Sequence, residues 1–363
     1  MPASSTDLGV IGPGGVRVTF NPGPSQISPQ VIADIHEIAD SGLLAESHRS
    51  ARVKTVVKDA VSAMRSAMRV PDEYAILFQP SATAAMDVLV RNLVSTRSLH
   101  FSNGAFADRF AGTAGLIAPV PICVDGPWGE APGWRSFETT ERFDLVAVTH
   151  NETSTGMAWP FSELRALRDR YPEHLLAVDV TSSFGALAMD WSSADAWFGS
   201  VQKCLGLPAG LGFLIVSPRC IDRTREMGFA AEIAPWQDLI RMSTSMYTGE
   251  TAETPNVLAI ALLGRQMARW DLAAIEAATQ RKAAAVAAAE LPWTPFVQET
   301  EWRSPTVHCM QVDDPTAWHE RALAAGFRLG SGYGKLKPSC IRIATFPAHS
   351  EDDVAALLAA LAG

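Results

Sequence analysis

The stretch Ser200-Val201-Gln202-Lys203-Cys204-Leu205-Gly206-Leu207-Pro208-Ala209-Gly210-Leu211-Gly212 sets one lysine among apolar and small residues. An ammonium in such surroundings loses hydration, so its pKa falls and the neutral amine becomes accessible. The neutral amine is the form that condenses with an aldehyde. The glycines and Pro208 suit a tight turn whose backbone comes close to a ligand. A lysine at a solvated strand end would give the same local pattern, so a second feature has to decide. Val178-Asp179-Val180 supplies it by following Leu175-Leu176-Ala177, which makes Asp179 the end of a buried strand. A buried carboxylate needs a cationic partner. A protonated pyridine nitrogen is one such partner, and a lysine with an aspartate is recurring equipment of sites for pyridoxal 5′-phosphate (PLP).

Outward from this stretch the chain alternates strands and helices. Strands are predicted at 16–20, 74–78, 99–101, 120–124, 143–149 and 175–179. Trp197-Phe198 leads into the lysine turn as a short strand, and 212–216 returns from it. Helices are predicted at 29–41, 53–68, 161–171, 256–270 and 272–291, the last rich in alanine. The alternation argues an α/β unit with a mostly parallel sheet. From 306 onward the pattern changes to strand 306–312, helix 315–325, strand 341–344 and helix 350–361, a small α+β unit. Ser350 before Glu351-Asp352-Asp353 is a good helix cap with acids in the first turn. The expected division is a large domain over 16–265 and a small one over 266–363, with 1–15 extended or packed on the small domain.

Several strand ends carry polar sets. Strand 74–78 runs through Gln79-Pro80 into Ser81-Ala82-Thr83-Ala84-Ala85-Met86, which opens a helix and outlines a phosphate cradle. Ser81 acting only as a helix cap explains the same residues. Strand 143–149 ends in His150-Asn151-Glu152-Thr153-Ser154-Thr155-Gly156, at the edge where open parallel sheets bind ligands. Phe106 starts a helix after Asn103-Gly104 and suits either stacking on an aromatic ring or a place in the core.

Composition narrows the classes. The chain has 363 residues, 47% hydrophobic and 19% charged, which is ordinary for a globular enzyme. Its net charge of −9 and the lack of a basic stripe argue against nucleic acid as a partner. Cys123, Cys204, Cys220, Cys309 and Cys340 are odd in number and form no CxxC, so neither a disulfide framework nor a zinc site is expected. That fits a cytoplasmic location. Residues 1–15 lack the basic and apolar parts of a signal peptide, and no apolar run approaches membrane-spanning length.

Phe20-Asn21-Pro22-Gly23-Pro24-Ser25, His48-Arg49-Ser50, Asn151-Glu152-Thr153, Val178-Asp179, Ser200-Val201-Gln202-Lys203 and Ile341-Arg342-Ile343-Ala344 occur in an order and spacing that resembles the fold-type I, class V PLP-dependent aminotransferases. That group includes phosphoserine aminotransferase and the alanine/serine–glyoxylate aminotransferases. The resemblance implies a large domain with a mostly parallel seven-stranded sheet and a small C-terminal α+β domain. It implies that Lys203 carries PLP as a Schiff base and then moves protons, and that Asp179 keeps the pyridine nitrogen protonated. Thr153 would bond the ring hydroxyl, Phe106 would stack on the ring, and Ala82, Thr83 and Gln202 would hold the phosphate. Thr254 would reach the cofactor of the neighbouring subunit in a homodimer with active sites at the interface. Arg342 would clamp the substrate α-carboxylate, for which an arginine fork is suited.

His48 and Arg49 favour the phosphoserine branch, where such a pair helps bind the substrate phosphate. Two departures weaken that assignment. A second His-Arg pair expected before Arg342 is replaced by Gly332-Tyr333-Gly334-Lys335-Leu336-Lys337, and the first cradle turn lacks an arginine. Lys335 or Lys337 would supply charge there only as points. The expected substrates are thus an amino acid, either phosphoserine-like or else acidic or small, and a 2-oxo acid. Competing readings are a glyoxylate aminotransferase, a lyase, decarboxylase or cysteine desulfurase on the same fold, and a binding protein that keeps the fold without catalysis.

Overall fold

The computed structural model describes residues 15–228 and 233–363, so the expectation for 1–15 falls almost wholly outside the described residues. A seven-stranded sheet forms the large unit. Its order is Ala75–Gln79, Gly212–Val216, Ala196–Ser200, Leu175–Asp179, Leu145–Thr149, Ser98–Ser102 and Ile122–Asp125. Gly212–Val216 is antiparallel to both its neighbours, while the other pairings are parallel. The reversal follows from the lysine turn, which sends the chain straight back along the strand it has just left. Gly212 is glycine for a local reason as well, because a Cβ there would lie 2.6 Å from the Ser81 carbonyl carbon.

The continuous apolar runs of Leu145–Thr149 and Leu175–Asp179 reflect burial on both faces. Successive side chains alternate between two cores. Val146, Val148, Leu176, Val178 and Trp197 join the core beneath helices Ala51–Met68 and Val257–Ala268. Leu145, Ala147, Leu175, Ala177 and Phe198 join the opposite core beneath Ala82–Leu93. Helices Pro218–Met227 and Leu239–Thr248, absent from the sequence-based expectation, help cover that second face.

The small sheet has the order Val18–Phe20, Phe327–Ser331, Cys340–Ala344, Val307–Gln311 and Thr294–Pro295. Val18–Phe20 was grouped with the large unit from its position in the chain, but it pairs in parallel with Phe327, Arg328 and Leu329. Alternation marks a strand and says nothing of which distant edge receives it. Helices Leu272–Ala288, Pro315–Ala324 and Glu351–Ala362 belong with this sheet, and Ser350 closes a capping box with Asp353 on the last of them. The small unit docks on the polar loop after Thr149. Thr306 Oγ1 donates to the Ser182 carbonyl at 2.6 Å and accepts from Asn151 Nδ2 at 2.7 Å. Among the described residues no helix is long and apolar enough to cross a membrane.

Candidate active site

The lysine turn is closed by Val201 N–H donating to Leu211 O at 3.1 Å and Gly206 N–H donating to Lys203 O at 2.9 Å. This tucks the Lys203 side chain inward, leaving it 7% exposed. Its Nζ donates to Thr153 Oγ1 at 2.6 Å and to Ser182 Oγ at 3.0 Å. Both partners are neutral hydroxyls, and among the described residues no carboxylate comes within ion-pairing distance of Nζ. Burial therefore pushes the Lys203 pKa down to about 8, against the upward pull of Asp179 and Glu152. The sign of the consequence is fixed, because only the neutral amine attacks a carbonyl. Recombination of the apoprotein with PLP, followed by absorbance, should speed up about tenfold per pH unit from pH 6 and level off above about 8. A rate indifferent to pH over that range would show that the amine is already neutral or never reacts.

Asp179 ends its strand and is 4% exposed. The Thr181 N–H and hydroxyl both donate to Oδ1, at 2.9 and 2.5 Å. Burial raises the carboxyl pKa, while the two Thr181 donors and the Lys203 charge oppose it. Among the described residues Oδ2 accepts no hydrogen bond from protein. Asp179 and Lys203 line one cavity of about 110 Å³, together with Thr153, Phe106, Thr83 and Gln202.

The polar loop is fully buried from Asn151 to Thr155. Glu152 explains why. Its carboxylate accepts from Phe106 N–H at 2.9 Å, Ala107 N–H at 3.0 Å, Ser154 N–H at 2.9 Å and Ser154 Oγ at 2.6 Å. It thus caps the helix Ala105–Ile117 and favours the dipole there, which fixes Phe106 at the cavity. Burial raises the Glu152 pKa, and these donors work against the rise. Gly104 makes room for this cap, since a Cβ there would lie 2.4 Å from Glu152 Cγ. At the opposite wall Ser81 Oγ accepts from Ala84 N–H at 3.2 Å, so the capping role holds. The Ala82 N–H is taken by Ser200 Oγ at 2.7 Å, and Thr83 faces the cavity between them. Gln202 lines the same wall, and its carbonyl accepts from Ser25 N–H at 2.8 Å, tying the 21–25 turn to the lysine turn.

Arg342 lies in the small sheet and reaches across to the large unit. Its Nε donates to Ser331 O at 2.7 Å and its Nη1 to Thr153 O at 2.9 Å. Thr153 therefore touches Lys203 through its hydroxyl and Arg342 through its carbonyl. Burial lowers the Arg342 pKa, although the guanidinium stays charged. Lys335 does not join this group. It is exposed and sits over the Trp128 ring at 4.2 Å, and Lys337 is exposed too. His48 is half-buried and Arg49 exposed, and neither lines the cavity of its own chain. Thr254 is exposed on the loop before helix Val257–Ala268 and is likewise outside that cavity. Ser182, Ser200, Arg109 and Tyr333 are site residues that the sequence analysis did not single out. Ser182 was the most readable of them, because Thr181-Ser182-Ser183 is a polar run directly after the strand of Asp179.

A profile of the family Aminotransferase class-V matches residues 17–314. The chain belongs to the class-V aminotransferases. A phosphoserine aminotransferase of Corynebacterium glutamicum is 30% identical over 364 residues, covering 94% of this chain and 93% of the relative. One from Rhodococcus opacus is 29% identical over 358 residues, covering 93% and 92%. Among solved structures, a phosphoserine aminotransferase from Cytophaga hutchinsonii superposes with a TM-score of 0.91 at 30% identity, covering 95% of this chain and 98% of that one. An aspartate aminotransferase from Thermus thermophilus shares the fold, with a TM-score of 0.81 at 24% identity over 94% and 97% of the two chains.

This class-V member is a PLP-dependent transaminase. The cavity suits the cofactor on its own evidence: a buried amine with only hydroxyl partners, a buried carboxylate with one uncommitted oxygen, and an aromatic face against the amine, with Nζ 4.7 Å from the Phe106 ring centroid. Neither the cysteine beside Lys203 nor the one in the strand of Arg342 has the setting a desulfurase needs. Burial pushes the Cys204 thiol far above its ordinary range, and Cys340 is buried in the strand of Arg342 rather than in a loop.

Proposed function

We propose that this enzyme transfers the amino group of a phosphoserine-type amino acid to a 2-oxo acid, as a cytoplasmic homodimer. The observation that carries the amino-acid part is Thr153, which joins the reactive amine and the carboxylate-binding guanidinium through one residue. The phosphate part is supported by the likeness to phosphoserine aminotransferases over nearly the whole chain.

PLP supplies a carbonyl for the amine and a ring that takes up the electron pair left when Cα loses its proton. The protein residues divide the remaining tasks. Thr83 and Gln202 would hold the phosphate, Asp179 the ring nitrogen, Thr153 the ring hydroxyl, and Phe106 one ring face. Lys203 Nζ would hold the cofactor, then take the proton from substrate Cα once freed. Thr153 and Ser182 aim that nitrogen. Arg342 would bind the α-carboxylate and so fix which Cα bond faces Lys203.

The dimer reading rests on one patch. Glu250 pairs with Lys54 at 2.5 Å, which lowers its carboxyl pKa, and the nearby Arg49 and His48 add smaller pulls in the same direction. Thr254 follows on the same loop, and Tyr247 beside it is 89% exposed. The three residues outside their own cavity thus share a region with a large exposed aromatic, as expected if they complete the partner's cavity. Cytoplasmic placement is supported by the free thiols of all five cysteines.

The deciding experiment is a donor panel, with O-phosphoserine, glutamate, aspartate and alanine offered singly and keto acid formation followed. Phosphoserine should show the highest kcat/KM. Alanine or aspartate exceeding it would remove the phosphate from the proposal. Arg342→Ala should raise KM for the amino acid about 30- to 150-fold, for about 2–3 kcal/mol of charge-assisted bonding, with a smaller change in kcat. Saturation kinetics check this, and an unchanged KM would take Arg342 out of substrate binding.

A further inference from the structure

The geometry points to Arg109 as the residue that selects substrates with an anionic side chain, a reading that rests on the proposed transamination of a phosphoserine-type amino acid. Arg109 lines the same cavity as Lys203 and Asp179. It stands three residues after Phe106 on one helix face, and its guanidinium lies over the Phe106 ring at 4.9 Å. Its Nη2 donates to Tyr333 Oη at 3.1 Å. Tyr333 also packs against Phe106, with centroids 5.2 Å apart, and Arg342 lies over the Tyr333 ring at 5.4 Å.

One tyrosine from the small domain therefore spaces two guanidiniums. Arg342 is anchored on two carbonyls beside the amine. Arg109 is held over an aromatic face at the cavity, and among the described residues it has no carboxylate within ion-pairing distance, its charge reaching Asp179 only from farther off. An exposed arginine ordinarily stays mobile and hydrated. This one has given up rotamer freedom to stacking and to a single hydroxyl, which leaves most of its five donors for something else. An amino acid with an anion at each end presents one to each guanidinium. The distal group is an oxyanion, either a phosphate monoester or a carboxylate. Arg109 also supplies the local cation that the first cradle turn lacks and that Lys335, over Trp128, does not provide.

The test uses holoenzyme and the variants Arg109→Met, Arg109→Lys and Tyr333→Phe. Calorimetry with 3-phosphoglycerate, which has the carboxylate and phosphate but no amine, reads binding without turnover. Arg109→Met should weaken it about thirtyfold, and Arg109→Lys, which keeps the charge and loses the stacked fork, by an intermediate factor. Tyr333→Phe should weaken it severalfold by freeing the guanidinium. The ratio of kcat/KM for phosphoserine to that for alanine should fall by about the same thirtyfold in Arg109→Met. Equal losses on both donors, or a matching loss of PLP affinity, would make Arg109 a structural or cofactor contact and overturn the assignment. Should the unaltered enzyme bind succinate more tightly than 3-phosphoglycerate, the phosphate reading fails while Arg109 stays testable with succinate and glutamate. Arg109→Met binding succinate and glutamate within twofold of the unaltered enzyme would then reject it.

Discussion

Lys203→Ala should abolish turnover, with kcat lower by at least about 10⁴-fold, because one side chain both tethers the cofactor and carries the proton. The fold should survive the change. Thr153 Oγ1 and Ser182 Oγ already bond each other at 2.5 Å, so removing Nζ leaves neither hydroxyl without a partner. No ion pair is broken, and the truncated stem opens onto an existing cavity. Thermal unfolding of the apoprotein should therefore shift little. The band at roughly 410 nm given by lysine-bound PLP should be missing. Lys203→Arg separates charge from nucleophilicity: it restores a cation, supplies no neutral amine and should be equally inactive. Retention of even a few per cent of turnover by either variant would mean that another group moves the Cα proton.

That lysine was legible because its surroundings are local: mostly apolar and small residues, with Gln202 the exception, flank a single cation in consecutive positions. Asp179 was legible for the same reason, since Leu175-Leu176-Ala177-Val178 announces burial and the aspartate closes the run. The polar run from His150 to Gly156 reads as a ligand edge, and its residues are buried, with Asn151 bonded to Thr306 just before a strand of the small sheet. What stayed hidden depends on contacts between distant segments. Val18–Phe20 reads as a strand, but the edge that accepts it lies at Phe327–Leu329. Arg109 reads as one more surface arginine until Tyr333 is brought to it from beyond strand Phe327–Ser331 of the small sheet. Glu152 reads as part of a turn, and only the fold shows it capping the helix of Phe106. Lys335 looked available as a substrate cation because nothing local reveals that Trp128 lies beneath it. Helix Pro218–Met227 went unread since its arginines, aspartate and glutamate leave too few apolar residues to mark the one buried face it has.

Asp179→Asn should keep the fold and lower kcat about 10²- to 10³-fold, with KM for the amino acid changing less. The Thr181 donors converge on Oδ1, an interaction that the asparagine carbonyl oxygen can reproduce. The remaining position then offers an N–H₂ where a carboxylate oxygen faced the cavity. In the proposed role of Asp179 a cationic ring nitrogen would lose its counter-charge, and breaking one buried charged pair costs about 3–5 kcal/mol, of which part would fall on ground-state binding and the rest on removal of the substrate Cα proton. PLP retention should weaken only modestly, because the lysine tether and the phosphate contacts are untouched. Asp179→Glu provides the control for shape. It keeps the charge but displaces the carboxylate from Thr181, so it should retain more turnover than asparagine if charge dominates. The Lys203 amine gives an independent reading, since Asp179 holds its pKa up against burial. Neutralising that aspartate should move the pH dependence of apoprotein recombination with PLP to lower values. Near-normal kcat in Asp179→Asn, together with an unmoved pH profile, would show that the carboxylate supports the Thr181 turn and has no electronic part in the reaction.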